Sequence, residues 1–324
     1  MTPTQPAPAV SIVSTLYRSS RHLEEFCRRA TDAAERAGVT WELVLVNDGS
    51  PDDSLDRALA LRAAEPRIVV VDLARNFGHH PAILAGLASA RGEKVFLIDC
   101  DLEEHPEWLP DFLAQLDRED ADVVYGQQQR RKGGWFEAVS GGVFYQLFNR
   151  ISEVRIPPNW ITARLMRRRY VDALLQFGER ELFLGGTFML AGFRQVGLPV
   201  DKGSRGTSSY SLARRLRLFI NALTSFSPRP LHLVFGLGTV VTLVALAGFC
   251  VIFFRGLRGE TMIGWASLMA SIWLFGGLTM FCLGLIGIYV GKILIETKRR
   301  PLYLIREIHR GDGAGQAPAE QDFR

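Results

Sequence analysis

Lys94-Val95-Phe96-Leu97-Ile98-Asp99-Cys100-Asp101-Leu102-Glu103-Glu104 is the stretch on which the reading of this chain turns. An apolar run of strand length ends abruptly in two carboxylates one residue apart, with two more acids just beyond. In an open α/β fold such a strand end lies at the rim of a parallel sheet, where ligands bind and hard oxygen donors suit a divalent cation. A bare D-x-D is short, and acids after a strand commonly form a solvated turn. The neighbouring segments decide between those readings.

The segments before this stretch alternate in period. Val10 to Thr15 reads as a buried strand, and Arg21 to Gly38 as a helix with Leu23, Phe26, Ala30, Ala33 and Ala34 on one face. Trp41 to Val46 is a second strand, stopped by the turn-forming Asn47-Asp48-Gly49-Ser50-Pro51-Asp52-Asp53. Leu55 to Ala64 gives another helix, Ile68 to Leu73 a third strand, and Ala82 to Ala90 a helix of small residues able to pack closely. This βαβ rhythm predicts an α/β, doubly wound, mostly parallel sheet with helices on both faces. Beyond the acids, Pro106 to Leu116 reads as a helix, Ala121 to Gly126 as a strand and Val196 to Asp201 as a last strand. Tyr170 to Phe177 reads as a helix, and the Gly-rich Phe183 to Gly197 as a helix packing under the site. Three basic segments stand out: Arg130-Arg131-Lys132, Arg164 to Arg169, and the Gly/Ser-rich loop from Lys202 to Tyr210 with Arg205.

Charge is unevenly distributed. Charged residues make up 22% of the chain and the net charge is +4, a modest excess that does not argue for nucleic acid. Between Leu231 and Gly291 the only charges are Arg255, Arg258 and Glu260. Two segments, residues 231–254 and 262–290, each exceed the ~20 residues needed to cross hydrocarbon. A very short turn joins them, so they form an antiparallel transmembrane hairpin with both flanks on one side. Arg214, Arg215 and Arg217 before it, and Lys298, Arg299 and Arg300 after it, make that side cytosolic and suit anionic headgroups. Residues 211–230 read as an amphipathic interfacial helix, with aromatic-rich Trp135 to Ile151 a second candidate for the membrane surface. The expected division is a cytosolic catalytic domain over 1–210, the interfacial helix, the spans within 231–292, and a cytosolic basic tail over 293–324 whose end is disordered. Met1 to Ala9 lacks the pattern of a cleavable signal peptide. Cys27, Cys100, Cys250 and Cys282 have no metal or disulfide spacing. Gly287 and Gly291 form one G-x-x-x-G step, compatible with close helix packing or a homo-oligomer.

Taken together, Val46-Asn47-Asp48-Gly49-Ser50, Arg75-Asn76-Phe77-Gly78-His79-His80, Asp99-Cys100-Asp101 with Pro106-Glu107, Arg164-Leu165-Met166, Thr224 to Leu231, and the ending Gly284 to Lys292 with Arg300-Pro301-Leu302-Tyr303 resemble a known family. The chain is similar to the family-2 glycosyltransferases of the GT-A fold, and in particular to the bacterial two-span polyprenyl-phosphate glycosyltransferases related to dolichyl-phosphate mannose synthase. The resemblance implies inverting transfer of a sugar from a nucleotide-sugar to undecaprenyl or another polyprenyl phosphate at the inner membrane. It places Thr15, Tyr17, Asp48, Arg75 and Asp99 at the nucleotide-sugar. It implies Mg²⁺ or Mn²⁺ on Asp99 and Asp101 with Glu103 as a third ligand, and lipid phosphate on Arg130, Arg131, Arg164 and Arg205. Asp99, Asp101 and Arg164 are the expected catalytic residues. The lipid phosphate is already an anion, which fits the absence of an obvious His or Ser triad.

Three departures accompany the resemblance. The first strand ends Thr15-Leu16-Tyr17-Arg18-Ser19 where relatives carry P-x-Y-N-E, Ile161-Thr162-Ala163 stands in place of G-D-F, and Ser209 replaces a Lys. Two alternatives remain open: a non-catalytic nucleotide-binding membrane scaffold, and a processive polysaccharide synthase. Against the synthase, Gln127-Gln128-Gln129-Arg130-Arg131 lacks the Trp of a Q-x-x-R-W element.

Overall fold

The computed structural model describes residues 7–128, 157, 159–179, 184–201 and 264–311, with scattered positions between 231 and 258. The chain divides into two compact units, the first containing residues 1–142, 156–209 and 300–324, the second residues 143–155 and 210–299.

The first unit is built on an eight-stranded mixed sheet. Its elements are β1 (Val10–Leu16), α1 (Leu23–Arg36), β2 (Trp41–Asn47), α2 (Ser54–Ala64), β3 (Ile68–Leu73), α3 (His79–Ser89) and β4 (Lys94–Leu97). There follow a 3₁₀ turn at Pro106–Trp108, α4 (Leu109–Arg118), β5 (Val123–Gln128), β6 (Trp160–Arg167), α5 (Arg168–Leu174), α6 (Leu184–Leu190), β7 (Gln195–Val200) and, much later, β8 (Ile305–His309). The strand order is β7-β5-β6-β4-β1-β2-β3-β8. Strands β1 to β4 are parallel, as their continuous apolar runs predict for strands covered on both faces. The sheet then departs from the mostly parallel expectation: β6 runs antiparallel to both β4 and β5, and β8 antiparallel to β3.

Two of these strands escaped the sequence reading. β6 falls where only a basic segment was read, and β8 falls in the expected tail. Pro199 in β7 is tolerated because β7 is an edge strand.

Each face of the sheet carries its own core. Leu23, Phe26 and Ala30 of α1, Ala58 of α2 and Phe112 of α4 pack on Ile12, Leu43, Leu45 and Phe96. On the other face α3 and α5 meet Val13, Val44, Val46 and Val71. The small-residue character of α3 has a direct steric cause. A Cβ on Gly86 would stand 2.5 Å from Val13 Cγ1 and 2.9 Å from Val46 Cγ2, so only hydrogen fits there.

In the second unit the apolar helix α7 (Trp265–Thr297) replaces the expected span 262–290. Its segment Leu274–Thr297 is long and apolar enough to cross a membrane, and its side chains are largely exposed. Described positions in the earlier apolar segment, such as 234–236 and 238–241, are helical. The expected interfacial helices at 211–230 and Trp135 to Ile151 lie outside the described residues.

Replacing Gly86 with Ala is expected to destabilise the domain by about 1–3 kcal/mol through overpacking, despite the better helix propensity of Ala. Urea unfolding of the two proteins checks this; an unchanged or raised midpoint refutes the packing argument.

Candidate active site

The strand order reverses between β1 and β4, because the chain winds from β1 through β2 to β3 and then returns to the other side of β1. A switch point of this kind leaves a crevice at the carboxyl ends of the strands. Thr15, Tyr17, Asp48, Arg75, Asp99 and Asp101 all follow or end strands at that edge. The register sets them together: Leu16 lies beside Asn47, Asn47 beside Asp72, and the N–H of Ile98 donates to the Val13 carbonyl.

Between Asp99 and β1 stands a histidine to which the resemblance gives no role. His79, the first residue of α3, has Nδ1 at 3.1 Å from the Thr15 hydroxyl and Nε2 at 3.6 Å from Asp99 Oδ1. Its membership in the Arg75-to-His80 stretch was the available signal. Asp99 keeps 23% of its side chain exposed and Asp101 is exposed. Asp101 Oδ1 accepts the N–H of Glu103, which fixes the turn between them. Leu102 adopts a positive φ of 62° there, a strained conformation for a non-glycine residue. Cys100 points the other way, donating to the Thr15 carbonyl and the Ser19 hydroxyl, and burial pushes its thiol up to about 11.

Glu104 is the acid that holds this turn. It is fully buried; Oε2 accepts the N–H of Asp99 at 3.2 Å, and Oε1 accepts the N–H of Thr162 at 3.1 Å. One carboxylate thus ties the acidic turn to the start of β6. In sequence it is one acid among four, with nothing to mark it out from Asp99, Asp101 and Glu103.

Arg164 stands behind this brace. It is 1% exposed, with its guanidinium 3.4 Å from the Phe188 ring centroid and 5.3 Å from that of Trp160. Nε and Nη2 donate to the carbonyls of Thr162 and Ile161, while Nη1 has no hydrogen-bond partner among the described residues. Burial lowers its pKa to about 10, opposed by Tyr170, Glu104 and Tyr125, so it remains a cation at neutral pH. Direct contact with a lipid phosphate, expected from the sequence, does not fit a guanidinium covered in this way. Arg130, Arg131 and Arg205 lie outside the described residues.

Asp48 is 3% exposed and both of its oxygens are engaged: Oδ1 accepts the N–H of Phe77 at 2.7 Å and Oδ2 that of Gly78 at 3.0 Å. Burial raises its pKa, against the two N–H donors. Gly78 has φ 99°, and Gly49, with φ 56°, packs so closely that a Cβ would meet Asn76 N at 2.4 Å. The turns after β2 and β3 are therefore one locked unit, and Asp48 clamps it. Tyr17 is half-exposed beside it, and Arg75 lies over the Phe77 ring. Arg18 occupies the left-handed region at φ 55°, its N–H held by the Ser50 hydroxyl at 2.7 Å.

The residues expected to hold Mg²⁺ or Mn²⁺ meet the chemical requirement in part. No group of three or more His, Cys, Asp or Glu side chains converges on one point among the described residues, so Asp99, Asp101 and Glu103 do not form a preassembled cage. A smaller set still fits Mg²⁺, which is usually held by one or two carboxylates with water and substrate phosphates completing its shell. Asp99 and Asp101, on an open rim with a fixed turn, are such a pair.

Comparison with known proteins decides the class of chemistry. Residues 11–175 match Glycosyl transferase family 2. A Mycobacterium tuberculosis protein with the provisional description of a glycosyltransferase is 42% identical over 315 residues, covering 96% of this chain and 91% of its own. The chain belongs to glycosyl transferase family 2. The transferase is also 33% identical over 303 residues to the uncharacterized glycosyltransferase sll0501 of Synechocystis, covering 92% of this chain and 95% of that one. Among solved structures, the mannosyltransferase PcManGT of Pyrobaculum calidifontis, in complex with GDP-Man and Mn²⁺, aligns at 16% identity with a TM-score of 0.48, over 91% of this chain and 88% of that one.

Glu104→Ala leaves two part-buried N–H groups without this acceptor, and a total loss of roughly 1–3 kcal/mol is expected in urea unfolding, with Glu104→Gln milder; a loss no larger than that of an exposed Glu→Ala variant would remove Glu104 from its bracing role. Burial opposes ionisation of Asp52, but the Ser50 and Ser54 hydroxyls and the Ser20 and Ser54 N–H groups together hold its carboxyl well below the usual range. Its stabilisation is complete above the unfolded pKa of ~3.9 and is lost as the pH falls through that value toward the lower folded one. The Tm gap between wild type and Asp52→Asn should therefore shrink from about pH 5 to about pH 2, and a constant gap contradicts the assignment.

Proposed function

We propose that this family 2 glycosyl transferase moves a sugar from a nucleotide-sugar to a polyprenyl phosphate at the cytosolic face of a membrane, inverting the anomeric carbon by a single displacement. The donor lies in the crevice between β1 and β4. Tyr17 offers an exposed ring to the base, and Asp48 holds the turns on which the nucleoside rests. Asp99 and Asp101 would hold the divalent cation, which when bound neutralises charge on the departing nucleoside diphosphate. His79 orients Asp99 against Thr15, and Glu104 fixes the backbone of the acidic turn. Arg164 acts from behind Glu104 as a positioning cation. Arg130, Arg131 and Arg205 are assigned to the acceptor phosphate, because guanidinium binds phosphate oxygens in a bidentate fork.

The observation that supports the membrane part of this reading is the location of β8. Residues 298–304 alone separate the apolar helix α7 from this strand, and β8 enters the sheet at its carboxyl edge, where the N–H of Ala74 donates to the Leu304 carbonyl and Leu73 pairs with Ile305. That is the edge bearing Asp99 and Asp101. If α7 spans a bilayer, its two ends lie on opposite sides, yet β8 and β1 to β7 share one sheet. The chain must then cross once more between residues 201 and 264, and the apolar stretch 231–254 is long enough to do so. This parity supports the hairpin, and the Lys and Arg residues that flank it, Arg214, Arg215 and Arg217 before and Lys298, Arg299 and Arg300 after, support a cytosolic catalytic domain.

The experiment is incubation of the full chain in detergent with undecaprenyl phosphate, a panel of UDP- and GDP-sugars, and Mg²⁺ or Mn²⁺. A lipid-linked sugar is expected with one donor, with a loss of at least 100-fold in Asp101→Ala. Transfer only to a water-soluble acceptor overturns the lipid reading, and full activity in Asp101→Ala overturns the assigned site.

A further inference from the structure

β8 contributes more than an edge to the sheet. Arg306, 59% exposed along its side chain, turns one arm of its guanidinium inward, where Nη1 meets the buried Asp72 Oδ2 at 2.9 Å and Nη2 donates to the Ala74 carbonyl at 2.8 Å. The other oxygen of Asp72 accepts the Asn47 amide at 2.8 Å, and Asn47 Oδ1 accepts the N–H of Ser50 at 3.2 Å. Ser50 in turn accepts the N–H of Arg18 on its hydroxyl and donates a hydrogen bond to Asp52. An unbroken series of hydrogen bonds therefore runs from the strand after α7, through the ends of β3 and β2, to the loop after β1.

The second arm of Arg306 reaches the same loops by another route. Ala74 immediately precedes Arg75 and Asn76, the backbone on which Gly49 packs without room for a Cβ, and Phe77 and Gly78, whose N–H groups hold Asp48. Arg306 thus fixes the Asp48 turn from both sides. It also supplies the positive charge facing Asp72, a carboxylate that is 5% exposed and whose burial is costly when uncompensated. We infer that Arg306 is a positioning residue of the donor crevice, through which the strand following the apolar helix sets the geometry of the nucleotide-binding turns.

The kinetic part of the test rests on the donor site proposed above; the exchange part does not. Arg306→Met, with Arg306→Lys as a second variant that keeps the charge but loses the fork, is prepared as the full chain in detergent. Amide hydrogen exchange is followed by mass spectrometry on peptides covering residues 46–50 and 74–79. Exchange there should quicken at least tenfold in Arg306→Met and less in Arg306→Lys, while peptides from α1 and α4 stay at wild-type rates. Under turnover, donor KM should rise roughly tenfold in Arg306→Met, with kcat within about twofold and acceptor KM unchanged, and Arg306→Lys should fall between. Wild-type exchange at both peptides, or a fall confined to kcat, overturns the inference. An absence of turnover in wild type with every donor sinks the donor reading instead, and the exchange result then decides the role of Arg306 alone.

Discussion

A carboxylate buried away from water is costly unless donors surround it, and the carboxyl edge of this sheet buries three: Asp48, Asp72 and Glu104. Each meets the demand by recruiting donors from a different segment. Asp48 takes two N–H groups from the loop after β3, Asp72 takes Asn47 from β2 and Arg306 from β8, and Glu104 takes N–H groups from its own turn and from β6. The loops that form the crevice are consequently joined to one another by buried charge-assisted hydrogen bonds, which are shorter and stronger than neutral ones. That leaves Asp99 and Asp101, at the rim of the same edge, on backbone that their buried neighbours hold still. Preorganised polar groups of this kind are what electrostatic catalysis requires.

Rigidity of this sort tolerates local strain. Arg18 and Leu102 both sit in the left-handed region without being glycine, at a cost of order 1–3 kcal/mol each. Both lie in loops at the carboxyl edge, one after β1 and one after β4, on either side of the point where the strand order reverses. The Ser50 hydroxyl holds the first, and the Asp101 turn with the Glu104 brace holds the second. Relaxed loops would re-aim Tyr17 and Asp101 in different directions.

The central strands were legible because burial on both faces makes them near-continuous apolar runs, and Gly, Pro and Asp mark their ends. The place of Asp99 and Asp101 at the carboxyl edge was legible from position alone, since they follow a strand directly. β6 was not, because Trp160 to Arg167 alternates Arg and Thr with apolar residues and its basic charge outweighed the period-2 pattern. The environment of Arg164 was equally hidden. A surface cation and a buried one share the same letter, and what buries Arg164 is Phe188, brought over it by α6. Glu104 and His79 were in plain view without a role, because their partners, Thr162 for one and Thr15 for the other, come from distant strands.

β8 shows the same limit most sharply, and its consequences reach beyond the site. Ile305-Arg306-Glu307-Ile308-His309 is five residues long, carries charges at Arg306 and Glu307, and lies more than two hundred residues from the strand it pairs with. Nothing local distinguishes it from a basic tail. Its partner explains why it must exist: β3, Ile68 to Leu73, is buried along its whole length, and without β8 it would present an open row of N–H and C=O groups beside an apolar run. Such an edge invites pairing with another chain. β8 covers it and presents Arg306, Glu307 and His309 in its place, a short charged strand of the type that resists further pairing. The segment that completes the sheet is made only after the apolar helix, so the edge of β3 stays open until that helix has been synthesised. Closing it and fixing the Asp48 turn are then the same event, because one arginine of the closing strand does both.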